Sequence, residues 1–157
     1  MSDTRVTETR ATETRGPETQ GSETQRVRRF GWWSLLLWAL LGLCLEAAHG
    51  FKLSAYLDDE LTRMLLRLGH AHGVGLSLLV LVYGSAGLPL LSHRRDGGRA
   101  VSTALMLGAA CLPLGFALGA IAHPEGDPGI GVVLAPVGGL ALLWALLQVA
   151  LSASRQR

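Results

Sequence analysis

Four long stretches with almost no charged side chain fill this chain from Trp32 to Ala153, and they constrain the fold more than any other feature. They run from Trp32 to Ala48, Val74 to Ser92, Ala100 to Ala122 and Ile130 to Ala153, and Glu46 is the one carboxylate among them. A hydrocarbon layer ~30 Å thick is crossed by ~20 helical residues at ~1.5 Å each, so all four can span a membrane. In a soluble chain of 157 residues, four helices apolar on every face would leave nothing to cover them. The expected fold is therefore all-α: an integral membrane four-helix up-down bundle with spans at about 31–51, 71–92, 100–122 and 130–152.

Removal of the first span as a signal peptide is not expected. The polar leader is long, and Glu46 occupies the place before Ala48 where a small neutral residue is wanted. Leu43 directly before Cys44 argues against lipoprotein processing. Cys44 and Cys111 form neither a CxxC nor an evident disulfide framework.

Orientation follows from the basic residues. Arg26, Arg28, Arg29, Arg94, Arg95, Arg99, Arg155 and Arg157 make eight on one side, against Lys52, Arg63 and Arg67 on the other. Since Lys and Arg favour the cytoplasmic side, both termini are expected there, in the inner (cell) membrane of a bacterium. Trp32 and Trp33 suit the interface beside the arginines. The formal charge of +2 reports topology on this reading, and no nucleic-acid partner is expected.

The leader repeats. Thr4 to Glu8, Thr9 to Glu13, Thr14 to Glu18 and Thr19 to Glu23 all read Thr-Arg/Gln-x-x-Glu. A five-residue period matches neither helix nor strand, and few large apolar residues are present to offset the entropy of ordering. Residues 1–29 are therefore expected to be a disordered cytoplasmic tail. Expansion of a short DNA repeat, or a start assigned too far upstream, explains it more simply than a binding function. Residues 154–157 form the short cytoplasmic C-terminus.

Between the first two spans, Leu57, Leu61, Met64, Leu65 and Leu68 recur at helical spacing, so a short amphipathic helix is expected there. It either lies along the interface or runs into the second span, with Asp58 or Asp59 capping its start.

Four of the five histidines fall on the face opposite the arginines. His49 ends the first span, His70 and His72 open the second, and His123 ends the third, whereas His93 lies on the arginine side. Glu46 and His49, three apart, share a helix face, and Lys52, Glu125 and Asp127 complete a polar outer rim. Imidazole and carboxylate together can hold a transition metal or haem iron, which makes Glu46, His49, His70, His72 and His123 the candidate ligands. His70 and His72 point ~200° apart on a regular helix, so they do not chelate one ion together unless Gly69 and Gly73 accompany a local break. Glu46-Ala47-Ala48-His49 has the spacing of di-iron bundles but lacks the second motif those require. Glu46 is the first residue to mutate, because a carboxylate inside a span is costly.

Gly69 with Gly73 and Gly115 with Gly119 form GxxxG pairs that let helices approach closely, although such pairs recur readily among 20 glycines. Pro113 is expected to bend the third span, and Pro136 with Gly138 and Gly139 to loosen the fourth.

His70-Ala71-His72-Gly73, leading into an apolar helix, resembles the His-x-His segments of haem-binding membrane proteins related to oxidase catalytic subunits. That resemblance covers four residues and implies haem as a cofactor without assigning a ligand. As a whole the chain is similar to small four-span membrane proteins common in bacterial genomes, a likeness that names no activity. Nucleotide loops, a serine nucleophile motif, cysteine zinc motifs and HExxH are absent from the sequence.

The function expected first is a non-enzymatic accessory or interaction subunit. It would work in the lipid bilayer as a homo-oligomer or as part of a larger membrane complex. A metal- or haem-binding protein of the outer face is the alternative, and a small-solute or proton transporter component the second.

Overall fold

A computed structural model describes residues 15–91, 98–121, 123 and 126–155. Among these the secondary structure is entirely helical: α1 (Arg15–Gly50), α2 (Ser54–Leu57), α3 (Glu60–Val82), α4 (Arg99–Ile121) and α5 (Leu134–Ser154). A π turn over Tyr83–Gly87 and a 3-10 turn over Leu88–Leu91 extend α3, and a second 3-10 turn over Ile130–Val133 leads into α5. Four helices are long and apolar enough to cross a membrane: Gln20–Gly50, Glu60–Leu91, Arg99–Ile121 and Ile130–Ser154.

Two of these exceed the expected spans. Residues 15–29, expected to lack structure, are helical and continuous with the first span, while residues 1–14 lie outside the described residues. Contacts beyond the tail supply what its composition lacks. Val27 is fully buried in the main apolar cluster with Val80, Tyr83 and Leu105, against which Phe30 also packs. Arg26 pairs with Glu23 at 3.0 Å and donates from Nη2 to the Thr103 hydroxyl at 2.7 Å. The amphipathic stretch also forms no helix of its own, since Leu61 to Leu68 is the opening of α3. The separate element between the spans is the four-residue α2. Neither glycine interrupts α3, because Gly69 and Gly73 are both buried against neighbouring helices and keep their i→i−4 backbone pairing.

The main irregularity lies elsewhere. Pro89 carries no N–H, and its ring would crowd the Ser85 carbonyl of a regular helix. The backbone widens ahead of it, so that the Leu88 N–H reaches back five residues to Tyr83, and the single proton of the Ser85 hydroxyl has the Val82 carbonyl at 2.9 Å and the Leu81 carbonyl at 3.2 Å within reach. By contrast α4 continues through Pro113 as one helix, and Pro136 falls in the first turn of α5, where a missing N–H costs least.

The helices pack in sequence: α1 chiefly on α3, α3 on α4, and α4 on α5, with a slight contact of α1 on α4. Glycines set these distances. Across the first seam Trp38 of α1 lies over Gly73, and His70 of α3 lies over Gly42. Gly69 faces the Pro113 carbonyl on α4. Gly115 and Gly119 face Ala135 and Val132, while Gly138 faces Leu112. An added Cβ would collide at Gly42, Gly73, Gly115 and Gly138 and would crowd its neighbour at Gly69 and Gly119.

Candidate functional site

The five candidate ligands separate into three groups. The best connected lies where the start of α3 meets the end of α4. Asp59 caps α3, its Oδ1 accepting the Thr62 N–H at 3.0 Å. This is the local cap expected from a carboxylate preceding an amphipathic helix, since the first helical N–H groups have no partner within the helix. Thr62 Oγ1 lies 2.9 Å from Asp59 Oδ2, 3.2 Å from the Ala120 carbonyl and 3.0 Å from His123 Nε2. His123 Nε2 is itself 2.8 Å from Asp59 Oδ2. A hydroxyl has one proton, so Thr62 donates to one oxygen at a time and can accept from the imidazole N–H. The His123 side chain is mostly enclosed while Asp59 remains partly open to solvent.

Asp59 is held below its ordinary value of 3.8, first by the Thr62 amide and then by the Thr62 hydroxyl; partial desolvation opposes them, and His123 adds to the lowering. A depressed folded value means that the stabilisation is complete above the unfolded pKa and is lost as pH falls through the folded one. The Thr62 amide resonance is thus expected to titrate with a midpoint below 3.8, and Asp59→Asn should abolish that inflection. A midpoint above 3.8 would contradict the cap as the dominant influence.

The second group is the His-x-His pair, which α3 splits between two neighbours. His70 faces α1, its Nδ1 2.8 Å from the Trp38 carbonyl. His72 Nδ1 lies 2.8 Å from the Leu68 carbonyl one turn earlier, and its ring packs on Phe116 of α4 with centroids 5.2 Å apart. The divergence follows from the ~100° turn per helical residue.

Glu46 and His49 form the third group. Both are exposed near the end of α1, and their side chains make no hydrogen bond or ion pair among the described residues. Lys52 has a left-handed backbone, φ 53°. Its N–H donates to the His49 carbonyl at 3.1 Å, and the Leu53 N–H to Ala48 at 3.0 Å, the pairing of a Schellman cap. Its backbone therefore ends a helix at a position that usually takes glycine. Asp127 is exposed in the turn before α5; Glu125 and His93 lie outside the described residues.

Among the described residues no three His, Cys, Asp or Glu side chains gather as a metal-binding set. Both cysteines are unpaired thiols. Among the described residues the candidate polar groups are thus a clasp of Asp59, Thr62 and His123, two divergent histidines, and an exposed pair on α1. Sequence reasoning offered Asp58 or Asp59 as the cap, of which the structure selects Asp59, and missed its bond to His123. The available signal was an acid with spare acceptor capacity at one helix start and a histidine at another helix end. The chain matches no family model, no curated protein and no solved structure.

Proposed function

We propose that this is a multi-pass membrane protein acting as a non-enzymatic accessory or interaction subunit, an up-down bundle in a bacterial inner membrane with both termini cytoplasmic. The observation that carries the reading is that the three partly buried histidines at this end of the bundle are bonded within the fold. His70 is bonded to Trp38, His72 to Leu68, and His123 to Asp59 and Thr62. The bonds of His70 and His123 join one helix to another, each such bond contributing roughly 0.6 kcal/mol, while that of His72 stays within α3. The order of contacts supports the up-down arrangement: Gly31 meets Leu81 while Trp38 meets Gly73, and Gly69 meets Pro113 while Tyr83 meets Ser102. Eight arginines on one side against three basic residues on the other support the orientation.

Alanine at Glu46, His49, His70 or His72 is then expected to change abundance and melting only modestly, the largest effect being at His70, about 1 kcal/mol or less for its lost interhelical bond. Metal analysis and an absorption spectrum on gently purified protein provide the decisive comparison. A stoichiometric metal or a Soret band that disappears with His70→Ala or His72→Ala would overturn the accessory reading in favour of the metal or haem one.

A further inference from the structure

The first span borders two adjoining clefts. One, of about 390 Å3, is lined by Thr24, Gln25, Arg28, Arg29, Trp32 and Trp33. The other, of about 230 Å3, lies between α1 and α4 and is lined mainly by Phe30, Trp33, Leu37, Trp38, Ala110 and Leu114. Trp33 borders both. Gln25, Arg29, Trp33 and Leu37 succeed one another every fourth residue, so they form one slanting ridge from the first cleft into the second. From Arg29 to Leu37 the ridge climbs ~12 Å at ~1.5 Å per residue.

Along this ridge the chemistry changes in order. Arg28 and Arg29 are exposed and make no ion pair or hydrogen bond among the described residues, in contrast to Arg26, which is engaged by Glu23 and Thr103. Trp32 and Trp33 follow, 59% and 69% exposed, with ring systems suited to the headgroup layer. The groove beyond is almost wholly apolar, and it exists because α1 packs on α3 and barely touches α4. Two exposed guanidinium groups, an aromatic band and an apolar slot match the phosphate, glycerol and acyl parts of one amphiphile.

We propose that the arginine end of α1 and the α1–α4 groove hold an anionic phospholipid. Its phosphate lies at Arg28 and Arg29, its glycerol region beside the tryptophans, and one acyl chain between Leu37, Trp38 and Leu114. Arginine suits the phosphate because its planar fork donates two parallel hydrogen bonds. Charge complementarity selects an anionic lipid over a zwitterionic one, and the apolar slot selects a lipid over a free anion. The inference rests on the membrane reading of the four helices.

The full chain, carrying Trp144→Phe so that its three remaining tryptophans all lie on α1, is reconstituted in phosphatidylcholine vesicles doped with phosphatidylglycerol. Either lipid is brominated on its acyl chains at the same mole fraction, and tryptophan quenching is read. Brominated phosphatidylglycerol should quench severalfold more strongly, and Arg28→Gln with Arg29→Gln should reduce that preference about fivefold or more, since each basic residue at the surface contributes about that factor. Ala110→Phe, which fills the groove and leaves the charges in place, should also reduce it.

Equal quenching by the two lipids in the parent would overturn the site and leave the membrane reading standing, whereas quenching by neither would sink both. Preference that survives both arginine changes, or is untouched by Ala110→Phe, would reduce the proposal to general attraction at a charged interface and so overturn it. Loss of preference on adding inorganic phosphate at constant ionic strength would reassign the arginines to a free-anion site. A crosslinked second copy seated on the ridge would make that face a protein interface instead.

Discussion

Gly115→Leu and Gly138→Leu are each expected to force α4 and α5 apart and to lower the melting temperature sharply. A Cβ at Gly115 would overlap the Ala135 amide nitrogen, and one at Gly138 would stand 2.5 Å from the Leu112 nitrogen. These obstacles are backbone atoms, which cannot turn aside as a side chain can, so a whole helix must move. Overpacking of this kind costs about 1–3 kcal/mol, and the larger value is expected where backbone is struck. Gly139 supplies the control. A Cβ there meets only Leu112 Cδ1, at 3.9 Å, so Gly139→Ala should leave the melting temperature unchanged or raise it slightly. Thermal unfolding in detergent micelles, followed by circular dichroism, checks all three. A Gly139→Ala protein as damaged as Gly138→Leu would show that the helix itself, and not the seam, is being tested.

Gly73→Leu should act on a different seam with a different outcome. The Trp38 ring lies directly over Gly73 and is only 4% exposed, so an added side chain must expel it. Because α1 packs chiefly on α3, it has little else to hold it in register once that knob is displaced. The expected loss is again ~1–3 kcal/mol, but confined to the attachment of α1, with α3, α4 and α5 remaining packed. Ser34 and Ser77 report on this directly, since their hydroxyl oxygens lie 2.7 Å apart across the seam. With Cys44 and Cys111 changed to alanine, a Ser34→Cys, Ser77→Cys pair should crosslink in the parent and fail to do so with Gly73→Leu. Undiminished crosslinking would mean that Trp38 finds another place without moving α1.

The two glycine predictions show where sequence pattern stops being informative. GxxxG spacing singled out Gly69, Gly73, Gly115 and Gly119, and the backbone brings each against a neighbouring helix. Pattern did not distinguish Gly73, which receives an aromatic ring, from Gly115, which receives backbone, nor did it single out Gly42, Gly108 or Gly138. Which glycine meets which atom depends on how each helix is rotated about its axis, and apolar spans facing lipid on most sides carry almost no periodic signal of that rotation.

The helix over Arg15–Arg29 was illegible for a related reason. Disorder was inferred from what the repeat contains, whereas Val27 is buried by residues of α3 and α4 and Arg26 is held by Thr103. Once the first span is helical, extending it costs no new nucleation, so few long-range contacts suffice. The π turn before Pro89 was equally unmarked, although the proline that causes it is plain in the sequence.

By itself the sequence determined the four apolar helices, a cap at Asp58 or Asp59 and the divergence of His70 from His72. Each of these depends on hydropathy, on a neighbour three residues away, or on the turn of one helix. In hydrocarbon the backbone must satisfy its own hydrogen bonds, so a long apolar run has little choice but to be a helix. Only the tertiary structure decided that His123 joins Asp59 and Thr62, that His70 binds the Trp38 carbonyl, and that Glu46 and His49 stay apart from them both. Those partners belong to different helices, and they are chosen by glycine-permitted approach and axial rotation, quantities that hydropathy does not encode.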